Sequence, residues 1–171
     1  MTTIWFTGLS GAGKSTIAEL LVEQLRKENI QVALLDGDIV RKTISKDLGY
    51  TKEDRDKHIT RVADICALLT SDHILSIACV ISPTKAIREY ARNQIKKFIE
   101  VYIKCPIEIC EERDVKGHYK KFRSGEIKDF VGLNVPYEEP EQPEVTIDTQ
   151  NTTPEQAAQQ LRQALKDKGI C

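Results

Sequence analysis

Residues 4–18 read Ile4-Trp5-Phe6-Thr7-Gly8-Leu9-Ser10-Gly11-Ala12-Gly13-Lys14-Ser15-Thr16-Ile17-Ala18. An apolar run ends in a glycine-rich turn, and the turn opens an amphipathic stretch that reaches Leu25. From Gly8 to Ser15 the turn matches G-x-x-x-x-G-K-[ST] at every fixed position. Gly8, Gly11 and Gly13 let the chain fold tightly, so that successive N–H groups face inward and the following helix adds its partial positive charge. A loop of this kind between a strand and a helix cradles the phosphates of a nucleotide. Lys14 then reaches the β- and γ-phosphates, and the Ser15 hydroxyl ligates Mg²⁺.

Outward from this stretch, apolar runs alternate with helix-length amphipathic segments, the pattern of a parallel α/β sheet. Ile4–Thr7, Gln31–Leu35, Leu75–Ile81, Ile99–Ile103 and Glu144–Asp148 are the expected strands. Helices are expected at about 14–29, 39–46, 52–70, 84–97, 106–113 and 154–168. Ile59, Val62, Ala63, Cys66 and Leu69 recur at helical spacing and form one core stripe. Thr51 with Asp54 predicts a capping box, and Thr153-Pro154-Glu155 predicts a capped helix start.

The segment 114–143 breaks the alternation, with three glycines and three prolines and little periodicity. A structureless run of that length is expected to be a lid. Lys116, Lys120, Lys121, Arg123 and Lys128 make its first part basic, which suits a lid over an anion.

The chain has 171 residues, one domain's worth, and 25 basic against 26 acidic residues give a net charge of −1. That balance argues against a nucleic-acid polymer or a membrane surface as partner, so any anion must be met by a local cluster. No apolar run approaches the ~20 residues of a membrane span, and no basic leader precedes the first apolar run, so a cytoplasmic protein is expected. Five cysteines without C-x-x-C spacing, and three scattered histidines, argue against a zinc site and a disulfide framework.

A phosphate loop alone does not separate a kinase from a GTPase or a motor ATPase. The guanine-reading N-K-x-D and an h-h-h-h-D-E strand are both missing. Instead Asp36-Gly37-Asp38 closes the second strand, where two acids can reach a metal and an acceptor hydroxyl. Arg41 lies one turn on, Arg55, His58 and Arg61 form a slanted ridge, and Arg88 and Arg92 share a helix face. So many arginines after strand ends predict a second anionic substrate.

These residues resemble the adenylyl-sulfate kinase family over nearly the whole chain. The likeness runs through T-G-L-S-G-A-G-K-S at 7–15, L-D-G-D-x-x-R at 35–41, D-L-G-Y at 47–50 and E-D-R at 53–55. It continues through I-S-P at 81–83, R-x-x-x-R at 88–92, E-V-Y at 100–102 and E-R-D-V-K-G at 112–117. Y-K-K-x-R at 119–123, G-E-I-K at 125–128 and P-Y-E at 136–138 complete it.

The resemblance implies one domain over 1–171, a three-layer P-loop kinase fold with a mostly parallel five-stranded sheet and a mobile lid. It implies transfer of the γ-phosphate of ATP, with Mg²⁺, to the 3′-hydroxyl of adenosine 5′-phosphosulfate (APS). By the same resemblance, residues Gly8 to Thr16 and Arg113 bind ATP, and Ser15 and Asp36 hold the metal. Lys14, Asp36, Asp38, Ser82 and Lys116 are the implied catalytic set. Asp38, Arg41, Tyr50, Arg55, His58, Ile81, Ser82, Lys116 and Phe130 are the implied acceptor contacts, with Tyr50 and Phe130 sandwiching the adenine. A homodimer is implied, and any sulfurylase of the pathway would be a separate protein.

The acceptor half departs from the family pattern. His58 stands where the family has asparagine, and Thr60 where it has arginine. Thr84, His118 and Val131 replace the tyrosine, leucine and threonine of S-P-Y, G-L-Y and F-T-G. APS held by a changed donor set is one reading. A relative that phosphorylates another nucleotide, such as a cytidine diphosphoramidate, is the other, with a non-catalytic nucleotide-binding relative as a third. A histidine titrates near pH ~6.5, so a charged His58 is expected to tighten acceptor binding as pH falls.

Overall fold

The computed structural model describes residues 1–170, and Cys171 lies outside them. Five strands form one parallel sheet: β1 (Thr3–Thr7), β2 (Val32–Asp36), β3 (Leu75–Cys79), β4 (Phe98–Lys104) and β5 (Val145–Asp148), in the order β2-β3-β1-β4-β5. Ile4 pairs with Ile77 on one side and Ile99 on the other, which puts the first strand at the centre. Helices α1 (Lys14–Lys27), α2 (Gly37–Lys42), α3 (Lys52–Ser71), α4 (Lys85–Gln94), α5 (Ile107–Arg113), α6 (His118–Arg123) and α7 (Pro154–Asp167) fill the connections.

Both faces of the sheet are covered, and β1 shows why its sequence is apolar throughout rather than alternating. Ile4 and Phe6 point into the core shared with α1 and α7, whereas Trp5 packs with Ile59, Val62, Ala63 and Cys66 of α3 and with α4. Trp5 is completely buried, and cutting it to alanine would cost ~3–5 kcal/mol. Of the expected α3 stripe, only Leu69 is partly exposed.

The helix starts follow their residues. Thr153 accepts from the Gln156 N–H while the Gln156 side chain accepts from the Thr153 N–H, a closed capping box worth ~1 kcal/mol. The box expected at Thr51 is only half formed. Thr51 Oγ1 accepts from the Asp54 N–H at 3.2 Å, but the shorter Asp54 carboxylate turns to the Gly49 N–H instead.

Two expectations need correction. The segment 114–143 is not structureless, because α6 lies inside it. Asp114 starts that helix by accepting from the Tyr119 and Lys120 N–H groups, while Gly117 takes the left-handed turn before it (φ 67°). Six residues are too few to show a helical period, so the pattern could not reveal them. Arg88 and Arg92, second, are structural ions. Arg88 is buried and paired with Glu100 at 2.9 Å, and Arg92 bridges Glu100 and Glu144. Their charge is already spent between α4, β4 and the chain entering β5. It is not offered to a substrate.

Candidate active site

In a doubly wound sheet, ligands bind where strands end and the crossovers part to opposite sides. Here the chain leaves β1 into the glycine-rich loop, β2 into Asp36-Gly37-Asp38, and β3 into Val80-Ile81-Ser82. The loop is as tight as its glycines predict. A Cβ on Gly8 would stand 2.5 Å from the Ile103 carbonyl, and one on Gly11 (φ 79°) 2.7 Å from the Cys110 carbonyl. Leu9, Ser10 and Gly13 line the half-buried rim, Ala12 is buried, and Thr16 is exposed on the first turn of α1.

Lys14 curls back over the loop, donating to the Gly8 carbonyl at 2.9 Å and the Leu9 carbonyl at 2.7 Å. Burial pulls its ammonium down to about 8. One residue on, the Ser15 hydroxyl donates to Asp36 Oδ2 at 2.5 Å. The other oxygen of Asp36 accepts from the Asp38 and Ile39 N–H groups, capping α2 and fixing the carboxylate's direction. A hydroxyl and a carboxylate so placed are hard oxygen donors, and the pair fits Mg²⁺.

Lys116, just before α6, is bonded to Asp38 Oδ2. Burial pushes the Asp38 carboxyl up, but the Lys116 ammonium, helped by His118 and Lys14, outweighs it and holds the group below the ordinary carboxylate range. Arg113 ends α5 by donating to the Thr149 carbonyl at 2.6 Å.

The other sequence-predicted residues are spread more widely. Arg41 donates to the Gly49 carbonyl and lies over the exposed Tyr50 ring at 4.7 Å. The Arg55 guanidinium is half-buried within electrostatic reach of Arg41, and makes no hydrogen bond or ion pair among the described residues. Arg61, on the same helix, is paired with Asp47. Phe130 is buried, with its ring tilted against those of Tyr119 (4.6 Å between centroids) and Phe122.

His58 requires a correction. Only 5% exposed, it lies under the Asp36–Asp38 turn, with Nε2 3.6 Å from the point where a Gly37 Cβ would stand. Burial first, and Arg41 second, hold its pKa down at about 4, against the pull of Asp38. It is therefore neutral at physiological pH and brings no tightening charge. Its Nδ1 is buried without a hydrogen-bond partner among the described residues.

Ser82, implied as catalytic, is completely buried. Its hydroxyl accepts from Trp5 Nε1 and donates to Thr7 Oγ1, and its backbone is held left-handed (φ 41°) while Arg88 grips its carbonyl. With both sides engaged inside the core, this hydroxyl shapes the turn and is not offered to a phosphate. The neighbouring Ile81 carbonyl accepts from Thr7 Oγ1 at 2.7 Å.

The far end of the expected lid is also pinned. Tyr137 shares a hydrogen bond with Thr7 Oγ1, the Glu138 N–H donates to the Pro83 carbonyl, and Arg88 donates to the Glu138 carbonyl. These contacts join residues far apart in sequence, so no local signal marks them. Two further residues missed by sequence reasoning, Tyr119 and Thr149, hydrogen-bond to the carbonyls of Ser10 and Ala12.

With the geometry in place, the chain can be set beside known proteins. A family model described as adenylylsulphate kinase matches residues 1–148. An adenylyl-sulfate kinase of Halothermothrix orenii is 47% identical over 98% of this chain and 90% of its own. That of Gloeothece citriformis is 50% identical over 86% of this chain and 84% of its own. Among solved structures, the APS kinase of Mycobacterium tuberculosis in complex with AMPPNP and APS superposes with a TM-score of 0.92. It is 36% identical, covering 96% of this chain and 97% of that one.

Proposed function

We infer the function from one premise: the chain belongs to the adenylyl-sulfate kinase family. It transfers the γ-phosphate of ATP to the 3′-hydroxyl of APS, giving 3′-phosphoadenosine 5′-phosphosulfate in sulfate assimilation. The observation that carries this reading is the convergence of three distant segments at the mouth of the phosphate loop, with Ser15 on Asp36 and Lys116 on Asp38.

The residues divide the work. Phosphoryl transfer passes through a loose transition state, so positioning and charge neutralisation supply most of the catalysis. Lys14 exchanges two loop carbonyls for the stronger acceptors on the β- and γ-phosphates. Ser15 and Asp36 would hold Mg²⁺, which when bound would offset the negative charge of the phosphates. Asp38 accepts a hydrogen bond from the 3′-hydroxyl and aims it in line. A carboxyl held below its usual range is a weak base, so it orients the hydroxyl and takes the proton late. Lys116 has two stations, on Asp38 as found here and on the transferring phosphate.

Arg41 and Arg55 hold the phosphosulfate, the unsatisfied Arg55 guanidinium being free to do so. Tyr50 and Phe130 flank the adenine, His58 and Ile81 complete the acceptor site, and Arg113 borders ATP. The lid is the part of 114–143 that precedes the pinned Tyr137. The protein acts in the cytoplasm, where ATP and Mg²⁺ are supplied, as a homodimer.

A second reading keeps the same chemistry with another nucleotide as acceptor. It is favoured by the unpartnered Nδ1 of His58, which stands where the family has asparagine. Release of ADP, coupled to APS and to a panel of adenosine and cytidine nucleotides, separates the two. No ADP above the ATP-only background with any acceptor would leave only a nucleotide-binding protein.

A further inference from the structure

The phosphate loop is held from its outer side by two hydroxyls that come from distant parts of the chain. The Tyr119 hydroxyl donates to the Ser10 carbonyl at 2.8 Å, and the Thr149 hydroxyl donates to the Ala12 carbonyl at 2.9 Å. Tyr119 is 2% exposed and Thr149 4%, so both hydroxyl-bearing side chains are buried. Burial also pushes the Tyr119 phenol up, which keeps its proton in place as the donor.

Peptide planarity turns these contacts into a statement about phosphate binding. Across a trans peptide the C=O and the next N–H point in opposite directions. Fixing the Ser10 and Ala12 carbonyls outward therefore aims the Gly11 and Gly13 N–H groups at the concave side of the loop. Both glycines are left-handed (φ 79° and 98°), a conformation glycine leaves as easily as it enters, so the peptides need an external hold. Lys14 already occupies the Gly8 and Leu9 carbonyls from the inside.

We propose that Tyr119 and Thr149 are positioning residues for nucleotide binding, an outer clamp that presents the Gly11 and Gly13 N–H groups to phosphate. The two arms are not equivalent. Thr149 follows β5 and is bonded through its N–H to the Lys104 carbonyl. Tyr119 sits on α6, three residues after Lys116. Through Tyr119, then, the order of the loop is coupled to the placement of Lys116 on the far side of the site. Thr149 reaches the Lys116 segment only through its backbone carbonyl, which accepts from Arg113 and which Thr149→Val leaves in place.

This inference rests on the ATP-dependent reading above, and its test keeps the two apart. Tyr119→Phe and Thr149→Val each remove one hydroxyl and keep most of the shape. ATP and APS affinities are measured by calorimetry, together with kcat and the ligand-free thermal midpoint. Each variant should bind Mg-ATP about tenfold more weakly, or ~1.4 kcal/mol. The affinity for APS should stay within about twofold by the same scale. Tyr119→Phe should lower kcat more than Thr149→Val does. Thr149→Ser, which restores the hydroxyl, should recover most of the lost ATP affinity. Nucleotide affinity within about twofold of wild type in both variants would overturn the clamp. So would losses that track the thermal midpoint and fall equally on ATP and APS. A wild-type protein that fails to bind ATP would instead bring down the function itself, and the clamp with it.

Discussion

The Ser15 hydroxyl donates to Asp36 Oδ2 at 2.5 Å, joining the start of α1, which follows β1, to the end of β2, although β3 separates β1 from β2 in the sheet. The contact places a phosphate-loop hydroxyl and a carboxylate side by side, and Asp36 is held there because its other oxygen caps α2.

Asp36→Asn tests that division of labour. The amide can still cap α2, so stability should change by less than ~1 kcal/mol. The charge that faces Mg²⁺ is gone, and kcat should fall at least ~100-fold with a raised Mg²⁺ requirement. Urea unfolding beside a Mg²⁺ titration of the rate reads both. A variant as active as wild type at low Mg²⁺ would remove Asp36 from the metal site.

The buried ion network makes the opposite prediction. Glu100→Ala leaves the Arg88 guanidinium, 4% exposed, without its paired carboxylate. Breaking such a pair costs ~3–5 kcal/mol, which for a chain of this size is on the order of 10 °C in Tm. Calorimetry should show that loss, while kcat of the folded fraction changes little. A Tm within about 2 °C of wild type would contradict the network's structural role.

His58 gives a pH dependence with a definite sign. Its folded pKa is about 4, against ~6.5 in the unfolded chain. The stability from keeping it neutral is present above pH ~6.5 and is lost as pH falls toward 4, because only the unfolded state takes up the proton. The loss is at most ~3 kcal/mol. Arg41 and Arg61 oppose protonation in the fold and Asp38 favours it, and all three stay in the variant. His58→Asn should therefore lose less stability than wild type between pH 7 and pH 4.5, while retaining or improving turnover of APS. Equal losses in the two proteins would show that His58 is already charged in the fold.

Hydrogen exchange tests the lid. Amides of residues 114–135 should gain protection when ATP and acceptor bind, because phosphates add contacts for the basic residues there, Lys116 leaving Asp38 to meet them. The Glu138 N–H, bonded to the Pro83 carbonyl, should be protected in both states. Equal protection of 114–135 with and without ligands would argue against a lid.

How far the sequence could be read follows from the range of each contact. All five strands, the phosphate loop and the capped start of α7 were legible, since each is written in consecutive residues or in a period. Helix α6 was not, being shorter than two turns. Arg88 and Arg92 were misread because spacing places them on one face but cannot show that Glu100 and Glu144 wait opposite. Burial of His58 was equally hidden, so its charge was assigned from its ordinary pKa. Tyr119 and Thr149 touch the loop across 109 and 137 residues of chain, and nothing local points to either.

The central claim is transfer of phosphate to the 3′-hydroxyl of APS, and the most direct measurement is kcat/KM for APS beside other nucleotides, in wild type and Lys14→Ala. The account predicts a 3′-phosphorylated product, identified by phosphorus NMR, with APS preferred by more than about tenfold, or ~1.4 kcal/mol in transition-state binding. Lys14→Ala should be inactive yet folded, because its side chain bonds only loop carbonyls and lies outside the core clusters. A preference for APS below about tenfold, or a Lys14→Ala variant that keeps more than roughly a tenth of the wild-type turnover, would contradict it.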